Sequence, residues 1–144
     1  MKNFILAIWI VCAGAASADE PSERQAIAEL VAALNKATTT DHSDGSSALY
    51  TADAGPDRNR LSELHRRIAR ITPAVLSETT PPWLAISSIR FLTPAVALVD
   101  VADTQYGSMM PASKIPILII AKKVGSHWKV AGLRVLELGA PDTR

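Results

Sequence analysis

The last third of the chain carries two apolar, β-branched runs that are separated by the pair Gly125-Ser126. The first run covers residues 115–124 and the second covers residues 127–138. A Gly-Ser pair between two such runs is typical of a two-residue hairpin turn, so the pattern predicts an antiparallel hairpin in which Val124 lies opposite His127. This register constrains the fold strongly, because it fixes which side chains share a face of the sheet.

The first eighteen residues have the composition of an export signal. Lys2 provides the positive start, residues 4–13 form a short apolar core, and Ala16-Ser17-Ala18 is a cleavage site of small residues. We therefore expect signal cleavage after Ala18 and a secreted or periplasmic protein. The apolar run is too short to span a bilayer comfortably, so no membrane association is expected after cleavage. Residues 19–144 are enough for a single domain with its own core.

Composition excludes several classes of function. The only cysteine, Cys12, lies in the predicted signal, so the mature chain would have no disulfide and no thiolate. Lys2 is the only charged residue of the signal, and the whole chain has 15 Lys and Arg against 14 Asp and Glu. The mature chain would therefore be neutral, which disfavours a nucleic-acid partner because phosphates require a basic surface. The sequence has no helical histidine pair and no glycine-rich phosphate loop, so we expect no metal site and no cofactor.

Helical periodicity dominates the first half of the mature chain. Apolar residues recur at helical spacing in residues 21–37 and again from Leu61 to Ile71, where Pro73 ends the pattern. A short helix is expected between them, over Ser46–Tyr50.

From Leu84 the apolar period changes from 3.6 to 2. This change predicts strands over Leu84–Leu92 and Ala95–Thr104, joined at Thr93-Pro94, ahead of the terminal hairpin. Helices followed by antiparallel strands indicate an α+β domain. We expect a curved antiparallel sheet with the helices on one side of it.

Alternation along the strands predicts which polar groups point inward. In the terminal hairpin, the face that holds Trp128 and Val130 would also hold Arg134. In the preceding pair, Leu92 opposite Ala95 would place Ser87 and Asp100 on the more apolar, inward face. Since a buried charge needs a partner or a solvated pocket, Asp100 and Arg134 are interpreted either as a polar patch in a pocket or as a structural ion pair.

Three further side chains are candidates for the same pocket. His65 follows Leu61 by one helical turn, so it would be either an acid or base in the pocket or a buried helix residue bonded to the backbone. Tyr50 and Trp83 would either line the pocket mouth or belong to the core, as would Trp128.

Three segments carry a family likeness: the opening helix Glu23-Arg-Gln-Ala-Ile-Ala-Glu-Leu-Val, the segment Ser47-Ala-Leu-Tyr-Thr-Ala-Asp-Ala, and Gly125-Ser-His-Trp-Lys-Val. Together they resemble the nuclear-transport-factor-2-like (NTF2-like) superfamily and, within it, SnoaL-like small secreted domains. The resemblance implies a cone-shaped sheet around a long N-terminal helix, an open pocket for a small apolar molecule, and a homodimer through the sheet. The sequence departs from the family after Trp128, where Ala131 and Gly132 replace an expected histidine or aspartate.

Three functions remain open on these grounds. The leading hypothesis is an exported small-molecule-binding or accessory domain with a mainly apolar pocket, in which Tyr50, Trp83, Ser87, Trp128 and Arg134 contact the ligand. The second is a SnoaL-like isomerase, lyase or cyclase, with Asp100 as the general base and with His65 or Tyr50 assisting it. The third is a structural dimerisation module. Fold alone does not choose among them.

Overall fold

A computed structural model describes residues 20–39, 47–55, 57–71, 83–103 and 115–136, with side chains of the second helix described as far as Arg66. The predicted signal, its cleavage site and the beginning of the short helix at Ser46 lie outside these residues. Within them, two helices precede four strands, which confirms the α+β class. The elements are α1 (Glu20–Thr39), α2 (Asp57–Ile71), β1 (Leu84–Thr93), β2 (Val96–Asp103), β3 (Pro116–Val124) and β4 (His127–Val135).

The strands form one antiparallel, curved sheet in the order β1-β2-β3-β4, so each strand pairs with its neighbours in sequence. The predicted hairpin is confirmed, with Val124 opposite His127 and a positive φ of 63° at Gly125. Beyond β4, Tyr50 forms a parallel bridge to Val130, because the amide of Thr51 and the carbonyl of Leu49 both bond to Val130. Residues 49–51 therefore extend the sheet by a minimal fifth segment.

Helix α1 packs its apolar stripe into the core. Ile27, Leu30, Val31 and Leu34 are buried, as the spacing predicts, and they meet inward-facing residues of the sheet such as Val99, Ile119 and Val130. Among the described residues, no helix is both long and apolar enough to cross a membrane.

A polar cluster ties the beginning of α1 to the terminal hairpin. The two carboxylate oxygens of Glu23 accept hydrogen bonds from the Lys123 ammonium and the Trp128 indole, each at 2.5 Å. These bonds, above all the one from Lys123, lower the pKa of Glu23 below its usual value. The helix is thereby joined to β3 and β4 at its first turn.

A β-bulge in β4 changes which residues face inward. Ile120 pairs with Gly132 whereas Ala121 pairs with Val130, so Ala131 is an extra residue on β4. Beyond this point, the alternation of inward and outward side chains is shifted by one residue. Leu133 is therefore fully buried, and the Arg134 side chain is 63% exposed. The prediction that Arg134 faces inward is therefore wrong, and the cause is the bulge.

The first strand pair departs from the predicted register in a related way. The turn is at Pro94-Ala95, and Thr93 pairs with Val96. A second bulge leaves Ser87 unpaired and places Ser88 opposite Asp100. The inward residues of β2 are Ala97, Val99, Val101 and Asp103, all buried. Asp100 thus lies on the outward face, which corrects its predicted inward orientation.

Replacing Gly125 with alanine tests the turn. Nothing lies within 4 Å of a Cβ built at Gly125, so the expected cost is only the backbone strain of positive φ, about 1–2 kcal/mol of unfolding free energy. Ser126→Ala is the matched control, because Ser126 is exposed and should change stability by less than about 0.5 kcal/mol. Urea denaturation measures both. Equal midpoints for Gly125→Ala and the wild type would contradict the turn geometry.

Glu23→Gln tests the tie between α1 and the hairpin. We expect a lower melting temperature, because the amide cannot hold the Lys123 ion pair and one hydrogen-bond acceptor is lost. The folded-state pKa of Glu23 is depressed, so its contribution to stability is present above about pH 4.5 and is lost as the pH falls through that folded-state pKa. The variant should therefore show a weaker loss of stability on acidification. Glu29→Gln, on the exposed side of α1, is the control and should follow the wild-type pH profile.

Candidate functional site

Among the described residues, polar side chains are buried in two places. Asn35, Thr38, His65 and Asp103 lie around the C-terminal half of α1, the middle of α2 and the paired ends of β1 and β2. We call this group, with Trp83, the interior polar group. The second place surrounds Asp57 at the beginning of α2. Because buried polar atoms normally have hydrogen-bond partners, each group is informative about structure or function.

Asn35 joins α1 to the first residue of β1. Its side-chain amide donates to the Leu84 carbonyl at 3.1 Å, and its oxygen accepts from the Leu84 amide at 2.9 Å. The side chain therefore pairs with the strand as another backbone would, and both of its polar atoms are satisfied. This contact fixes the position of β1 relative to α1.

Trp83 is held in a single orientation by Thr38. The indole N–H donates to the Thr38 hydroxyl at 2.8 Å, and that hydroxyl donates in turn to the carbonyls of Leu34 and Asn35. Only 1% of Trp83 is exposed. The indole is thus a fixed aromatic wall of the interior polar group.

His65 faces this wall without a partner for one of its nitrogens. The two ring centroids are 5.2 Å apart and the planes are inclined by 48°. His65 is 7% exposed, and its Nε2 atom is buried and has no hydrogen-bond partner among the described residues. Leaving such a group unsatisfied typically costs about 1–3 kcal/mol. It is the one histidine atom in the described chain with this property.

Electrostatics keep His65 uncharged. Burial lowers its pKa below the usual 6.5, and the negative charge of Asp103 opposes that effect without reversing it. Asp103 is fully buried at the end of β2, opposite Leu84, and its amide donates to the Ile115 carbonyl. The imidazole is therefore neutral at pH 7 and can exchange a hydrogen bond with an uncharged group.

Asp57 lies at the centre of the second group of buried polar side chains. Its carboxylate accepts from the Leu133 amide at 3.0 Å and from Arg134 at 3.3 Å, and it lies 3.8 Å from Arg60. The Leu133 amide follows the bulge at Ala131, so Asp57 supplies an acceptor where the strand ladder is interrupted. Burial and the Asp57 charge together raise the pKa of Tyr50 to about 12. These contacts are sufficient for a structural role.

Four of the predicted site residues, namely Tyr50, His65, Trp83 and Trp128, are divided among three regions. His65 and Trp83 lie together in the interior polar group, while Tyr50 is beside Asp57. Trp128 bonds to Glu23, fifteen residues before Thr38 on α1, which corresponds to about 22 Å along the helix axis. The two tryptophans are therefore at opposite ends of α1 and do not share one site.

The predicted charged patch is not assembled. Asp100 is 42% exposed and accepts a hydrogen bond from Ser88, with Arg90 3.8 Å away. Arg134 pairs with Asp57 instead, and Ser87 is exposed at the bulge. Asp100 and His65 lie on opposite sides of the sheet, since Asp103 on the inward face is the carboxylate that affects His65.

Sequence reasoning missed Asp103, Asn35 and Asp57. Asp103 continues the alternation of Ala97, Val99 and Val101, so a different choice of inward face would have found it. Asp57 stands at the beginning of α2, where aspartate is favoured. Asn35 has no comparable sequence signal. Within the described ranges, no group of three or more His, Cys, Asp or Glu side chains is placed to hold a metal ion.

Comparisons with known proteins identify the fold. No protein-family model matches the sequence, and no curated protein is significantly similar to it. An NTF-2-like protein of unknown function from Silicibacter pomeroyi is 13% identical, with a TM-score of 0.55 over 81% of this chain and 98% of that chain. An NTF-2-like protein of unknown function from Shewanella oneidensis is 15% identical, with a TM-score of 0.48 over 78% of this chain and 98% of that chain. The similarity to the Silicibacter pomeroyi protein shows that the chain has an NTF2-like fold, and the α+β class with a curved antiparallel sheet agrees with the sequence analysis.

Proposed function

We propose that this chain is a small-molecule-binding domain and that the interior polar group, with His65 and Trp83, is its recognition site. The observation that carries the proposal is the buried Nε2 atom of His65, which has no partner among the described residues. A bound ligand would supply the missing hydrogen bond. The NTF2-like fold supports this assignment only in part, because the structurally similar protein from Silicibacter pomeroyi is itself of unknown function.

The polar side chains near His65 have hydrogen-bond partners, and this difference strengthens the proposal that His65 contacts a ligand. Asn35 and Thr38 have partners for their side-chain polar atoms, so the surroundings of the imidazole are well ordered. A histidine retained only for packing would ordinarily have its nitrogens bonded as well. An unsatisfied nitrogen in a rigid setting is typical of a site that gives up stability for function.

Binding is favoured over the two alternatives on geometric grounds. The catalytic hypothesis needs Asp100 and His65 near one reacting atom, and the sheet separates them. A purely structural module would use His65 as a packing element, so its removal should weaken the fold. The sign of a stability change at position 65 therefore distinguishes binding from a structural role.

His65→Leu should stabilise the ligand-free protein by about 1 kcal/mol, because the substitution removes a buried nitrogen that has no hydrogen-bond partner among the described residues and introduces an apolar side chain of similar size. The pKa of His65 is lowered in the folded state, so wild-type stability declines as the pH falls below 6.5 and through the folded-state value. The His65→Leu variant has no group that titrates at this position, so its stability advantage over the wild type should grow as the pH falls. Chemical denaturation at pH 7.5 and pH 5.5 measures both effects.

His127→Leu is the matched control, since the side chain of His127 is exposed at the hairpin and its Nδ1 atom lies 3.1 Å from the hydroxyl of the adjacent Ser126. Its effect on the free energy of unfolding should stay within about 0.5 kcal/mol. If His65→Leu instead destabilised the protein by 1 kcal/mol or more, the imidazole would be a structural group and the proposed site would be wrong.

We further propose that the domain is exported, on the basis of the signal-like residues 1–18. Expression of the full chain in a bacterial host should yield a periplasmic or secreted product whose intact mass corresponds to a start at Asp19. The variant Ala18→Arg, which changes the small residue at the cleavage site, should accumulate as uncleaved precursor. A wild-type product of full mass that stays in the cytoplasm would contradict export.

A further inference from the structure

We propose that the domain docks onto an anionic membrane surface through the end of the sheet that carries its two hairpin turns. This inference goes beyond the proposed function and does not depend on the interior polar group. Five side chains form what we call the turn-end surface: Arg90, Leu92, Lys122, Val124 and Lys129. Each hairpin provides an exposed apolar residue close to its turn and a cation two residues before it.

The two turns lie side by side, although they are far apart in the sequence. The Lys123 amide, beside the second turn, donates to the Ala95 carbonyl in the first turn at 2.8 Å. Only β2 separates β1 from β3, so the spacings of strands and residues place Leu92 and Val124 roughly 10 to 15 Å apart. The turn-end surface is therefore assembled by folding, whereas the expectation of no membrane association concerns a single apolar run.

The apolar residues of the turn-end surface are exposed to solvent. Leu92 is 60% exposed and Val124 is 46% exposed. Among the other large hydrophobic residues of the described chain, only Leu136, which follows the opposite end of β4, is exposed. Since removal of apolar surface from water is favourable, contact between the two turns and lipid hydrocarbon would stabilise a docked state.

The cations lie behind the apolar residues at a depth that suits lipid headgroups. Lys122 is two residues before Val124 and Arg90 is two residues before Leu92, so each is about 7 Å further from the turn along its strand. Segments that bind the membrane surface bury their apolar side chains about 5–10 Å deep, at the boundary between headgroups and acyl chains. With Leu92 and Val124 at this boundary, the cations would lie at the level of the lipid phosphates.

Two of these cations form a like-charge pair that costs stability in the isolated domain. Lys122 lies directly opposite Lys129 on the outward face of the sheet, and directly opposed like charges are destabilising. Neither lysine forms an ion pair with another described residue. The pKa of Asp53 is lowered first by a hydrogen bond from Thr51 and only to a smaller extent by the charge of Lys122. An anionic surface would remove the repulsion between the lysines.

The charges nearby favour an anionic partner over a second copy of this chain. Carboxylates near this end already have basic partners: Glu20 with Arg24, Glu23 with Lys123 and Asp100 with Arg90. The like-charge pair of lysines is therefore left to attract an external anion. A second copy that covered the turns would bring its own lysines to the same surface.

The beginning of α1 favours a lipid surface over an acidic protein as that partner. Glu23 in the first turn of α1 bonds to Lys123 and Trp128, which adjoin the second hairpin turn. The signal-like residues 1–18 therefore join the domain at the turn end. Because the apolar core of an export signal enters the membrane, the chain reaches the folded domain from the side on which Leu92 and Val124 are exposed.

Co-sedimentation with vesicles tests the proposal. Protein purified after export from a host expressing the full chain is mixed with vesicles of phosphatidylcholine, either alone or with phosphatidylglycerol as about one third of the lipid. Mass spectrometry establishes the first residue of the product, and the same form is used for every variant.

The wild type should bind the anionic vesicles at least about tenfold more strongly than the neutral ones, since each cation near an anionic surface contributes about fivefold. Lys122→Gln and Lys129→Gln should each weaken this binding about fivefold. Leu92→Ser and Val124→Ser should each weaken it to a similar extent, about fivefold, because they remove apolar contact with the lipid.

Arg66→Gln and Leu136→Ser are the matched controls, because both side chains are exposed and neither adjoins a hairpin turn. Each should change binding by less than about twofold, since the attraction to a charged membrane falls off within a Debye length. Lys122→Gln should not lower the free energy of unfolding, because it removes a like-charge repulsion. Urea denaturation of this variant therefore separates weaker binding from a loss of folding.

Four outcomes would overturn the proposal. The first is equal binding to both kinds of vesicle, or binding to neither. The second is an equal loss in Arg66→Gln, which would show that net charge and not the turn-end surface determines binding. A loss confined to the lysine variants would assign the surface to an acidic protein. A wild-type dimer that Leu92→Ser and Val124→Ser dissociate, as measured by sedimentation equilibrium, would assign it to a second copy.

Discussion

The fold depends on one long helix that is tied to the sheet near both of its ends. Apolar packing along α1 provides a non-directional attraction, and directional polar contacts fix where the helix lies. Glu23 bonds to Lys123 and Trp128 on the terminal hairpin, and Asn35 bonds to Leu84 at the beginning of β1. β1 and β4 are the outer two of the four named strands, so these two ties fix the helix across the whole width of the four-stranded sheet. The interior polar group is positioned by the second of these ties.

The bulge at Ala131 shows how one residue can decide the location of a charge. Because Ala131 has no partner on β3, the alternation of β4 is inverted beyond it, and Arg134 is placed outside. The interruption leaves the Leu133 amide in need of an acceptor, and the Asp57 carboxylate provides one at 3.0 Å. The same carboxylate binds Arg134. A strand irregularity, the start of a helix and a surface ion pair are therefore parts of one arrangement.

Features of the fold with a local cause could be predicted from the sequence. The turn at Gly125-Ser126, the apolar stripe of α1 and the change of period at Leu84 each depend on neighbouring residues, and all three agree with the structure. The site was less predictable. A period of two carries no record of an extra residue, so the bulge at Ala131 could not be located and Arg134 was placed on the wrong face. Asp100 was placed on the wrong face for another reason: β2 alternates regularly, but the wrong one of its two faces was taken as the inward one. His65 and Trp83 were identified as separate candidates, but their separation in sequence does not determine that they lie close together. Export, the homodimer and the narrower SnoaL-like likeness stay predictions.

The side-chain amide of Asn35 has a consequence beyond anchoring. An outermost strand exposes backbone donors and acceptors to which the strand of another molecule can add, and this is how ordered aggregates grow. At Leu84 both groups are occupied by Asn35, and at Ile89 the carbonyl accepts from Arg24. At the other edge of the sheet, the backbone amide of Thr51 and the backbone carbonyl of Leu49 bond to Val130. The helix and a short connecting segment thus occupy backbone groups at both edges of the sheet, and at these positions another strand cannot add without displacing them.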